Sequence, residues 1–155
     1  MLTAVQIEDD KSGSKGTLLC PSAPAEWEHP KVFGIVCGTP EKPAVKYLES
    51  VQPLTAEISA SISPASPGEV LRIAAPCAEH KCQHFQHGHC GLIARTITVL
   101  NPVASRLPPC PIRSTCRWWN EQGREACFRC PQVVTNSFSN EVEYVRAASP
   151  PQNKQ

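Results

Sequence analysis

Residues 110–131 read CPIRSTCRWWNEQGREACFRCP, and Cys110, Cys116, Cys127 and Cys130 fall within 21 residues of it. The Cys127-x2-Cys130-Pro131 end brings two thiols within reach of one centre, and the proline removes an amide and turns the chain out of helix. Were 116–127 one unbroken helix, Cys116 and Cys127 would lie about 16 Å apart, at about 1.5 Å of rise per residue. Gly123 is the weak point at which such a helix breaks and lets the four thiols form one set. Ser114 or Thr115 caps the first piece.

Upstream, residues 77–90 read CAEHKCQHFQHGHC and place Cys77, Cys82 and Cys90 within 14 residues, with spacers of four and seven. The loop also carries His80, His84, His87 and His89, of which His84 and His87 are the candidate ligands. Cys20 is the remote cysteine expected to complete this set. With Cys90 at the start of a helix, the amides of 91–93 face its sulfur and favour negative charge there. Cys37 sits in the strand-like run KVFGIVCG and is expected to be a small buried hydrophobe outside the ligand count.

Nine cysteines are an odd number in a chain whose start, MLTAVQIEDDKSGSKG, shows acidic residues where a secretory leader has a basic and then an apolar segment. A cytoplasmic location is therefore expected, where a disulfide framework is disfavoured and metal ligation is the main use of thiols at this density. One C-x2-C pair among wider gaps suits two 4Fe–4S clusters better than zinc, which remains the alternative. The expected cofactor and metal ligands are Cys20, Cys77, Cys82 and Cys90 in one set and Cys110, Cys116, Cys127 and Cys130 in the other. Neither the bacterial nor the plant-type ferredoxin cysteine run is complete here.

The 15 basic and 14 acidic residues give a formal charge of +1, which supplies no general attraction to nucleic acid or anionic membrane. No apolar stretch reaches membrane-spanning length. No G-x-G-x-x-G, P-loop, HExxH or G-x-S-x-G pattern occurs, so enzyme chemistry has no motif behind it. Glu79, Glu121 and Glu125 read as solvated. Arg113, Arg117, Arg124 and Arg129 interleave with the second cysteine set. They are expected to dock an acidic redox partner, with nucleic acid, stacked on Trp118 and Trp119, as the lesser option.

Sixteen prolines leave long open windows at 77–101, 112–130 and 132–149, where long helices are expected. Strands are predicted at 31–38 and 44–51, joined by TPEKP, and at 69–76, with short helices at 54–62 and from Cys90 to about 100. Segment 135–149 reads as a strand or short helix. The expectation is a flexible arm at 1–16, one cysteine-rich domain at 17–146 and a loose tail at 147–155. Its fold class is α+β, an irregular domain of short strands and two or three helices built around two metal or iron-sulfur sites. Functionally this describes a small soluble iron-sulfur protein for electron transfer or redox or oxygen sensing. The alternatives are a zinc-stabilised binding module and an iron-sulfur enzyme with an open iron site.

Overall fold

Residues 71–76, LRIAAP, are buried at every position but the last, as a strand covered on both faces must be. In the computed structural model, which describes residues 18–39 and 41–133, this strand lies inside a four-stranded antiparallel sheet. The strands are β1 (Leu19–Cys20), β2 (Lys31–Gly38), β3 (Pro43–Pro53) and β4 (Leu71–Pro76), in the spatial order β1-β4-β2-β3. Leu71, Ile73 and Ala75 of β4 share one core with Val32 and Ala23, against which Ile58 of helix α1 (Ala56–Ser61) packs. Ala74, on the opposite face, joins a second core with Phe33, Ile93, Ile112 and Trp118.

The predicted hairpin of 31–38 and 44–51 is present, closed by reciprocal backbone bonds between Thr39 and Lys42 at 3.1 and 3.0 Å. The helix expected at 54–62 forms over Ala56–Ser61, with the Thr55 hydroxyl accepting from the Ile58 amide at 3.2 Å. A short helix α2 (Pro67–Val70), started by a proline at its first position, takes the first two residues of the strand predicted at 69–76, which begins instead at Leu71. Cys37 is exposed, contrary to expectation. β4 pairs with β2 only from Lys31 to Ile35, so the far end of the hairpin runs past β4 and carries Cys37 into solvent.

The long helices expected in the proline-free windows 77–101 and 112–130 are instead short. The 77–101 window holds a single turn at Glu79–Lys81, a two-stranded ribbon of β5 (Phe85–Gln86) and β6 (His89–Cys90), and helix α3 (Gly91–Val99). The 112–130 window holds a turn at Arg113–Thr115 and two six-residue helices, α4 (Arg117–Gln122) and α5 (Arg124–Arg129). Gly123 separates the two with φ +68, a conformation costly for any side chain, so the break falls at the predicted residue. The arm, the C-terminal tail and the element expected at 135–149 lie outside the described residues.

Arg72 fastens the sheet to the helical layer. It is fully buried and lies over the Phe33 ring, and its guanidinium donates to the carbonyls of Cys130 at 2.6 Å and Pro21 at 2.9 Å. These two carbonyls neighbour one cysteine of each set. Arg72→Ala leaves both without a donor and is expected to lower the unfolding free energy by about 3 kcal/mol, read from the urea midpoint. An unchanged midpoint would show that water replaces the guanidinium.

Candidate functional site

Short local elements deliver the thiols. Cys20 ends β1 beside Ala75 of β4, and the Cys77 amide, just past β4, donates to the Leu18 carbonyl at 2.9 Å. The single turn at 79–81 places Cys82, and Cys90 caps α3. Amides two residues on donate to two of these sulfurs, Glu79 to Cys77 Sγ and His84 to Cys82 Sγ, both at 3.4 Å. Cys20, Cys77, Cys82 and Cys90 together line a cavity of about 520 Å³.

The second set assembles across the Gly123 break. Cys110 comes from the proline-rich connector, Cys116 caps α4, Cys127 lies in α5 and Cys130 follows it. They line a much smaller apolar space of about 20 Å³, room for about one water molecule. Trp118, 1% exposed, lines both spaces. A parallel bridge between Leu19 and Cys116 ties the strand end that carries Cys20 to the start of α4.

Burial governs the thiols. It raises Cys20 far above the ordinary value of 9.0, with the charges of Cys90, Cys77 and Cys82 adding to the effect and the Ser22 amide opposing it. Burial likewise raises Cys90 against the amides of Ile93 and Leu92 and the Trp118 indole. It pushes Cys116 to about 12 against the amides of Trp119 and Trp118. Cys110 and Cys127 are also raised by burial, and Arg113 favours the thiolate of each. Both helix-capping cysteines thus have amides of the following turn beside their sulfur, as expected at Cys90 and repeated at Cys116.

The metal-site expectation is overturned by the placement of the donors. Among the described residues no group of three or more His, Cys, Asp or Glu side chains could hold a metal ion. Two 4Fe–4S clusters and zinc are therefore not supported as cofactors, nor is a fold built around them. The functions resting on them fall with them: iron-sulfur electron carrier or sensor, zinc-stabilised module and open-iron enzyme. The cysteines of each set line the walls of a space without three of them converging on one point. His84 is occupied otherwise: Arg95 meets its Nδ1 at 2.7 Å, and burial, then the Arg95 charge, lowers its pKa to about 4. His87 stands exposed in the turn of the β5–β6 ribbon.

Glu121, read from sequence as solvated, is a hub with a side chain only 10% exposed. Its carboxylate accepts from the Cys90 amide at 3.0 Å and from Arg117 Nη1 at 2.9 Å, while Arg117 Nη2 reaches Glu79 at 2.9 Å. The Arg117–Glu121 spacing of four along α4 was the available signal for this pair. Arg117 is buried, and burial opposes its charge, but Glu121 and the charge of Cys77 outweigh that and hold its pKa raised. Of the other arginines expected to face a partner, Arg113 donates to the Pro108 carbonyl and lies over Trp119. Arg129 bonds the Leu100 carbonyl at 2.8 Å and Glu125 at 2.7 Å, and Arg124 is exposed.

No family model matches the chain, and neither a curated protein nor a solved structure shows significant similarity to it. No helix among the described residues is long and apolar enough to cross a membrane. The fold and site define a small α+β domain with two thiol-lined spaces that share one tryptophan wall.

Proposed function

We infer that the chain is a small cytoplasmic binding module whose functional side chains are the eight cysteines of the two sets. Cys20, Cys77, Cys82 and Cys90 serve the larger cavity, and Cys110, Cys116, Cys127 and Cys130 the smaller. The observation that carries the reading is the 520 Å³ cavity walled by four cysteines, three from the stretch 77–90 and Cys20 from the distant strand β1. Thiols that serve only as packing have no reason to gather at one opening. A volume of this size falls in the range of about 300–1,000 Å³ that holds small molecules. With burial raising Cys20 and Cys90, these two are neutral at pH 7, which suits a soft receiving wall better than a nucleophile. Nine free thiols accord with a reducing compartment.

Alkylation of the native, anaerobically purified protein by iodoacetamide, read by peptide mass spectrometry, tests the grouping. Cys37 is expected to react at least about ten times faster than any cysteine of either set, because access limits thiol reactivity. Uniform reaction of all nine would overturn the grouping. Elemental analysis of the same sample provides the second arm. One or more equivalents of iron or zinc per chain would overturn a metal-free binding module.

A further inference from the structure

The second cysteine set contains a thiol pair one helical turn apart with a cation beside it. Cys127 lies in α5, and Cys130 directly follows that helix with helical backbone, φ −52 and ψ −40. Positions three apart on a helix share a face and have Cα atoms about 5 Å apart, inside the span of about 4.4–6.8 Å seen in disulfides. Both residues line the same 20 Å³ apolar space. Joining a pair needs only two sulfurs to meet. Arg72 holds Cys130 in place by donating to its carbonyl at 2.6 Å. Cys130 is buried, whereas Cys127 is half-buried, so a reagent from solvent meets Cys127 and Cys130 is the thiol kept inside.

Arg113 supplies the charge. Its guanidinium lies over the Trp119 ring and donates to the Pro108 carbonyl. Unlike Arg117 and Arg129, it has no carboxylate partner among the described residues. Burial raises the Cys127 thiol, and the adjacent Arg113 guanidinium opposes that rise. The thiolate is the form that attacks a disulfide, and a cation beside the sulfur favours it. Cys110 and Cys116 share the space, but they come from the connector and from the start of α4, so a bridge to either must span separate elements.

We propose that Cys127 and Cys130 form a reversible redox modification site that takes oxidising equivalents from small disulfides, with Arg113 as the positioning cation for Cys127. The Cys127 thiolate attacks one sulfur of R–S–S–R, forming a Cys127–S–S–R mixed disulfide and releasing R–S⁻, which takes up the proton that Cys127 lost. Cys130 Sγ then attacks Cys127 Sγ, passing its proton to the second R–S⁻ as it leaves. The protein gives up two electrons and two protons, the small disulfide becomes two thiols, and a Cys127–Cys130 disulfide remains. The proposal goes beyond the binding role and stands whether or not the larger cavity takes a ligand.

The full chain carrying Cys37→Ser, which removes the exposed thiol, is incubated with glutathione disulfide, blocked with N-ethylmaleimide and cut with trypsin. Trypsin cuts after Arg124, Arg129 and Arg146, so the bridge reads as peptide 125–129 joined to peptide 130–146. The expected result is that single linkage, with no glutathione retained and both thiols recovered by dithiothreitol. Cys130→Ser should instead keep glutathione on Cys127. Arg113→Gln should slow oxidation about five-fold, whereas loosening of the packing alone would speed it. Faster oxidation in Arg113→Gln would overturn the role given to Arg113. Intact Cys127 and Cys130 thiols at a glutathione disulfide concentration that fully modifies Cys37 in the unsubstituted chain would overturn the proposal, as would linkage of Cys127 to Cys110 or Cys116.

Discussion

Stability is expected to be level from pH 7 to about 8.5 and then to collapse between pH 9 and 12. In the unfolded chain the thiols titrate near 9.0, whereas burial raises Cys20, Cys90, Cys110, Cys116 and Cys127 in the fold. Above pH 9 the unfolded state has therefore released protons that the folded state still holds, and the unfolding free energy falls as pH rises. The stabilisation is complete below the unfolded value and is lost as pH climbs through the folded one. For Cys116, raised from 9.0 to about 12, the three-unit difference corresponds to about 4 kcal/mol at about 1.4 kcal/mol per unit. Burial moves Cys20, Cys90, Cys110 and Cys127 in the same direction, so each adds to the fall. Urea melts at pH 8, 9, 10 and 11 give the slope, and Cys116→Ala should remove close to one proton from it. A level profile through pH 10.5 would show that these thiols are exposed or already ionised in the native protein.

Trp118→Ala is expected to cost about 3–5 kcal/mol, the range for truncating a buried aromatic. Trp118 is the largest fully buried side chain, and it contacts both the 520 Å³ and the 20 Å³ space. Its loss joins the two into one void, too irregular for neighbours on the rigid sheet to refill. The urea midpoint should drop with little change in m, and alkylation of Cys90 and Cys116 should accelerate with it. A cost below about 1 kcal/mol, with unchanged thiol reactivity, would show that the indole does not separate the two spaces.

The division of labour between sequence and tertiary structure follows from the range of the forces involved. The β2–β3 hairpin, the helix at Ala56–Ser61 and the break at Gly123 were legible because each is decided within a few residues: by β-branched runs, a capping hydroxyl, or a backbone conformation that suits glycine. The α+β class followed from the same local signals. The short helices within the proline-free windows were not legible, because freedom from proline permits a helix without supplying the apolar face that stabilises one. The exposure of Cys37 also depended on a distant strand, since β4 stops pairing with β2 at Ile35. The hub role of Glu121 required the Cys90 amide, 31 residues away, to be brought to its carboxylate. Spacing along the chain established which cysteines can approach one another. Whether their sulfurs converge on one point or line a space, and whether burial leaves them as thiols, was decided by how the sheet, α3 and α4 pack around Trp118, because convergence and desolvation depend on neighbours from the whole fold.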